Sequence, residues 1–158
     1  MSQALHHADY LVAGGRIIQR LEDLLEDLEE LKVLSAADLA EVAEQAQHTP
    51  AVFVLYAGDV VPGGAATDQG DYHVLRQRWL VVLAVRSPRK QMGGQSVRDA
   101  AGPILSRTLQ ALSGWRPGPG FGPLVRVNAP APAYRRGGYG YFPLQFEAVL
   151  ATQAASVD

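Results

Sequence analysis

Apolar residues recur at helical spacing between Asp9 and Leu28: Ile17, Ile18, Leu21, Leu24, Leu25 and Leu28, with Arg16, Arg20, Glu22, Asp23, Glu26 and Asp27 between them. The spacing predicts an amphipathic helix with one apolar and one largely acidic face. Gly14 and Gly15 weaken its first turns. Lys32–Leu34 reads as an edge strand. Ser35, with Asp38 three residues on, reads as the cap of a short helix over Ala36–Gln45 with Leu39, Val42 and Ala43 inward. His48–Thr49–Pro50 ends that helix.

Ala51–Ala57 (AVFVLYA) is continuously apolar and rich in β-favouring residues, which predicts a central strand covered on both faces. The glycine-rich stretch Val61–Asp71 reads as a loop. In His73–Arg86, Trp79, Val81, Leu83 and Val85 share one face, and Arg78, Leu80, Val82 and Ala84 share the other. The first part of this strand (Arg76, Gln77, Arg78) is too polar for a core, so it projects beyond the core and forms a long hairpin with the preceding strand.

After the loop Ser87–Gln95, Ser96 and Asp99 form a second capping pattern. The helix it opens runs to Ser113, with Val97, Ala101, Ile104, Leu105, Thr108 and Leu112 inward. Pro103 predicts a kink there, or a start nearer Gly102. Gly114 suits the C-terminal cap. Gly114–Gly122 is a loop, Pro123–Asn128 a strand, and Ala129–Gly140 an irregular segment. Tyr141–Thr152 alternates Phe142, Leu144, Phe146, Ala148 and Leu150 against Tyr141, Pro143, Gln145, Glu147 and Val149, the signature of a half-buried strand. Gln153–Asp158 reads as a frayed tail. The order of elements predicts an α+β sandwich: a mixed, largely antiparallel sheet of about four to five strands, with two long helices packed on one face. It forms a single domain over 1–158, with 1–8 and 153–158 flexible.

The 158 residues, 47% hydrophobic and 19% charged, suit one folded domain and argue against disorder. No apolar run reaches the ~18 residues of a membrane span, and no secretory signal is visible. The chain has no cysteine, which excludes disulfides, thiolate metal sites and cysteine nucleophiles and fits a reducing compartment. The net charge of −2 hides a segregation. Residues 1–50 carry ten acids and three bases, whereas residues 73–158 carry eleven bases and three acids. Twelve of the fourteen bases are arginine, the residue favoured in planar interface contacts.

Chemistry is absent from the pattern. His6, His7, His48 and His73 form no metal-ligand spacing; His6 and His7 fall in a segment read as mobile. There is no nucleophile elbow and no Walker loop. Gly93-Gly94-Gln95-Ser96 opens a helix without the lysine a phosphate loop needs. Arg135-Arg136-Gly137-Gly138-Tyr139-Gly140 lacks the spaced aromatics of an RNA-binding sheet. The sequence therefore gives no catalytic, metal or cofactor residue, and a non-enzymatic protein is expected. Three long irregular segments instead carry Tyr72, Trp115, Phe121, Tyr134, Arg135, Arg136 and Tyr139, types that anchor interfaces. Trp115 is also expected to pack over the sheet edge.

AVFVLYAGD (Ala51–Asp59), QRWLVVLAVR (Gln77–Arg86), ALSGWRP (Ala111–Pro117), GPLVRV (Gly122–Val127) and YGYFPLQFEAVL (Tyr139–Leu150), in this order, resemble the tail terminator proteins of long-tailed bacteriophages, especially the Mu-like and related Pseudomonas-type group. The resemblance covers residues 8–152. It implies a structural virion protein, assembled in the host cytoplasm, that forms a homo-hexameric ring on the head-proximal end of the tail. Such a ring stops polymerisation of the tail tube protein and meets a head-completion or neck protein. DNA passes its lumen without sequence recognition, and neither membrane, activity nor cofactor is involved. Two other readings remain open: a portal-side neck ring component, separated by whether added protein caps tubes, and a small enzyme with an unrecognised site.

A ring needs unlike patches that meet head to tail. The acidic helix (Glu22, Glu26, Asp27) facing arginines of the next subunit is the expected pair, and an acidic wall is also a candidate lumen lining. Asp68, Asp71, Tyr72, Arg76 and Arg78, on the loop Val61–Asp71 and the strand after it, are expected to contact the tube or a neighbour by extending the sheet. Tyr134, Arg135, Arg136, Tyr139 and Tyr141 are candidates for the opposite contact.

Overall fold

Two strands of fifteen residues, Tyr72–Arg86 (β3) and Tyr139–Gln153 (β6), pair antiparallel along their whole length, from Tyr72 opposite Gln153 to Arg86 opposite Tyr139. They organise the computed structural model, which describes residues 3–45, 48–63, 70–87 and 94–155. The other elements are α1 (Val12–Leu24), β1 (Lys32–Ser35), α2 (Leu39–Gln45), β2 (Ala51–Val60), α3 (Gln95–Leu112), β4 (Val125–Val127) and β5 (Ala133–Arg135). The sheet order is β1-β2-β3-β6-β4, with β5 also on β6. Among the described residues, β1 on β2 is the one parallel pair. The α+β class and the largely antiparallel sheet follow the sequence expectation, and the described residues form a sheet of six strands rather than four or five.

Period-two alternation splits the sheet into two faces. On one, Ile17 and Leu21 of α1 and Val97, Ala101 and Leu112 of α3 close over Val52, Val54, Val81, Leu83 and Phe146. Ile17, Leu21, Leu112 and Phe146 are fully buried, each contributing about 1.5–3 kcal/mol of apolar transfer. The second face is covered at one end only, where Val42 of α2 sits in a cluster with Phe53, Leu55, Leu80 and Val82. The two long helices thus lie on one face as expected, while the short helix crosses to the other.

Local chemistry shifts several boundaries. α1 stops at Leu24 because turns through Leu28 and Leu31 deliver Lys32 to the edge of β2. α2 starts at Leu39, later than Ala36. Its cap is Asp38, whose Oδ1 accepts the Glu41 N–H at 2.9 Å, while Glu41 Oε2 accepts the Ala37 N–H at 2.8 Å. Ser35 belongs to β1 instead, and Leu39 and Ala43 face solvent, leaving Val42 as the inward residue. α3 follows Gly94, at φ +69°, so Ser96 lies inside the helix rather than at its cap. Pro103 lies inside α3 rather than at its start. Gly102, Pro103 and Asp99 are exposed, so water can satisfy the carbonyl that the proline leaves without a helical donor.

The segment Ala129–Gly140 is less irregular than its composition implies. Ala133–Arg135 pairs with Tyr139–Tyr141 across a turn at Gly137 and Gly138. Phe121 is buried and meets the His6 ring at 5.5 Å. Trp115 packs against the helical-face core and carries the Arg20 guanidinium 5.3 Å over its ring. These two aromatics therefore serve the fold, Trp115 as expected. His6 does too: it sits in a 3-10 turn (Leu5–His7), is 6% exposed, and its Nε2–H donates to Ala151 O at 2.6 Å.

Candidate assembly surfaces

Past α2, no described element covers the second face of the sheet. β3 places Tyr72, Val74, Arg76 and Arg78 there; β6 adds Glu147 and Val149 and β4 adds Val125, all set by cross-strand register. Val74 is 36%, Val149 44% and Val125 58% exposed. Arg78 and Glu147 face each other in register, with Nε donating to Oε2 at 3.1 Å. Arg76 has no acidic partner among the described residues. Arg76 and Arg78 mark this bare face as their sequence suggests, but this part of β3 does not project beyond the core as expected, because on its other face Leu75 and Gln77 are buried beside Trp79. Of the exposed valines, Val149 falls on the polar side of its alternation and so marks the same face, whereas Val125 sits in a strand too short for a period to show.

The acidic patch lies on the other side of the molecule. α1 and β1 flank a surface groove of about 240 Å³. Leu21, Leu25, Leu28, Leu31 and Val33 line it together with three glutamates, Glu22, Glu26 and Glu29, against one base, Lys32. Glu22 and Glu26 are exposed. Asp27 is spoken for within the chain: its two carboxylate oxygens accept from Arg107 Nη1 and Nη2, each at 2.7 Å, and Arg107 also donates to Leu24 O. The Arg107 hydrogen bonds hold the Asp27 carboxyl below the usual carboxylate range. Of the three acids named as a unit from sequence, only Glu22 and Glu26 are left for another molecule.

The arginine and tyrosine candidates of the β5–β6 hairpin gather at the opposite end of the sheet from Tyr72. Arg135 and Arg136 are exposed, and Tyr134, 47% exposed, meets the Phe142 ring at 6.0 Å. Arg86 lies 5.1 Å over the Tyr139 ring and donates to Gly137 O at 2.9 Å. Tyr141 is buried in the α2-side core, and burial raises its phenol above the ordinary value. It supports the hairpin from beneath. Asp71 and Tyr72 stand at the start of β3, and the Asp71 carbonyl accepts the Ala154 N–H at 2.7 Å. Asp68 lies outside the described residues, as does most of the loop around it.

A polar network pins the end of β2 to the entrance of α1. Tyr10 and Tyr56 both donate their hydroxyls to the Asp59 carboxylate, Tyr10 at 2.8 Å. Burial, and then Asp59, push the Tyr56 phenol up to about 12 and raise Tyr10 further. Beneath them Gln77, fully buried, donates to Tyr10 O and accepts from Trp79 Nε1, each at 2.8 Å. Among the described residues no group of three or more His, Cys, Asp or Glu could hold a metal ion, and no helix is long and apolar enough to cross a membrane. The arrangement offers unlike surfaces on opposite sides of one sheet.

A family model described as phage tail terminator protein matches residues 7–154. A solved structure from the virion of a native gene transfer agent particle shares the fold at a TM-score of 0.53 and 18% identity, covering 90% of this chain and 99% of that one. No curated protein sequence matches significantly.

Proposed function

The chain belongs to the phage tail terminator family, a family of structural virion proteins, and we propose that it closes the head-proximal end of the tail as a ring of identical subunits. In this reading the ring, a hexamer by the family resemblance, blocks further addition of tube protein. Its other face receives a head-completion or neck protein, and DNA passes through the lumen.

The observation that carries the reading is the pair of unlike, exposed surfaces, one acidic at α1 and one apolar and basic on the bare sheet. Surfaces that differ must meet head to tail, and head-to-tail contacts close into rings when the rotation between copies allows. The loop over residues 61–71 and the start of β3 are assigned to the tube or to a neighbour. The β5–β6 hairpin with Arg135 and Arg136 is assigned to the opposite partner.

Electron microscopy of the purified protein, alone and with polymerising tube protein, tests the reading. Closed rings on one end of tubes of restricted length are expected. Tubes that grow to the same length with and without the protein overturn it.

A further inference from the structure

We infer that the uncovered end of the sheet, through Val74, Arg76 and Val149, docks into the acidic groove beside α1 of a second copy, against Glu22, Glu26 and Leu28. This inference rests on the ring reading and specifies its contact. The sheet end offers exposed aliphatic surface beside Arg76, which has no acidic partner among the described residues. The groove offers the complement: a leucine-rich floor with glutamates that form no ion pair among the described residues. Docking buries the valines and places a guanidinium between two carboxylates. Asp27 takes no part, since Arg107 of its own chain already holds it.

The placement of the two patches also decides the symmetry. The groove opens on the helical side at the β1 edge, and the bare patch lies on the other face over β3, β6 and β4. A single pair of copies leaves one patch of each unused. The contact therefore propagates from copy to copy until it closes.

The test compares the full-length protein with Arg76→Glu, Val149→Asp, the double Glu22→Arg/Glu26→Arg, and the triple variant joining Arg76→Glu to that double change. Sedimentation velocity and negative-stain microscopy read association, alone and on tube ends, and thermal melts confirm folding. Association weakened by at least about tenfold in the first three, and restored in the triple, is the expected result. Val149→Asp stands in should Arg76→Glu fold poorly. Arg126→Glu, exposed on the helix-side face of β4 and in neither patch, leaves copy-to-copy association unchanged. Wild-type rings that persist in all the single and double variants overturn this contact and leave the ring reading standing. A wild-type protein that caps tubes as a lone subunit overturns both.

Discussion

Trp79 packs against Gly14 so closely that a Cβ added at Gly14 would stand 2.7 Å from the Trp79 Cζ3. The indole enters the helix–sheet interface because residue 14 has no side chain. Gln77, two residues along the same strand face, then fixes the ring by accepting from Nε1. Gly15, the next residue, has open space where its Cβ would point.

The two adjacent glycines should therefore respond with opposite signs. Gly14→Ala forces the indole or α1 to shift and should cost about 1–3 kcal/mol, less up to about 1 kcal/mol of helix propensity gained. Gly15→Ala meets nothing and should stabilise by about 0.5–1 kcal/mol. Urea unfolding of the two variants checks this; a similar shift of both in one direction contradicts the packing.

The Tyr10–Asp59–Tyr56 cluster predicts an alkaline transition. A phenol whose folded pKa is raised contributes stability that is fully present below the unfolded value, 10.0, and is lost as pH rises through the folded one. For Tyr56 that window runs from about 10 to about 12. The denaturation midpoint should fall across it, and Tyr56→Phe should flatten the fall. Absorbance at the tyrosinate band should show Tyr56 and Tyr10 ionising above the ordinary phenol value.

Much of the fold is legible along the chain because it rests on local periodicity. The alternation in β3 and β6 sorts Trp79, Val81, Leu83, Phe142, Leu144 and Phe146 onto one face, and that is where the core sits. What the sequence hid depends on partners far away in it. Gly14 looks like a weak helix residue until Trp79 arrives beside it. His6 looks like part of a loose end until it finds Ala151 across 145 positions. β5 is three residues in a proline- and glycine-rich stretch, too short for any period to show. Among the assembly candidates, charge alone grouped Asp27 with Glu22 and Glu26, and only the position of Arg107 separates them. Tyr141 similarly reads as a polar-side tyrosine until α2 covers it.

His6 should act as a clasp between the N-terminal turn and β6. Its Nε2–H covers the Ala151 carbonyl, and the Gly122 N–H covers that of Val149 at 2.8 Å, so the two cap successive outward carbonyls of an otherwise open edge. His6→Ala removes one cap and the ring contact with Phe121, and should cost about 1–3 kcal/mol. Hydrogen exchange should rise first in residues 150–153 and in the turn Leu5–His7. Unchanged protection at β6 after the substitution contradicts the clasp.

Arg78 and Glu147 make a semi-exposed pair whose members are unequal. The Glu147 side chain is 11% exposed and that of Arg78 39%. Removing the arginine leaves a nearly buried carboxylate unpaired, whereas Glu147→Gln leaves a neutral amide that still accepts. Arg78→Ala should therefore destabilise by about 1–2 kcal/mol and Glu147→Gln by less than about 1 kcal/mol. Their order in thermal unfolding checks this, and the reverse order contradicts it.

The loop joining β2 to β3 gives a prediction that separates folding from tail assembly. The hairpin is already closed by pairing from Ala51 opposite Ala84 to Val60 opposite Arg76, and β3 is held on its other side by β6 out to Tyr72. None of the described core residues comes from residues 61–71. Shortening the loop by removing residues 64–69 should therefore change the unfolding midpoint little, since closure entropy varies only slowly with loop length. If the loop meets the tube, the same deletion should abolish the limit on tube length in a polymerisation assay, with copy-to-copy association retained. Normal capping by the shortened protein assigns the tube contact elsewhere, and loss of both capping and association assigns the loop to the contact between copies.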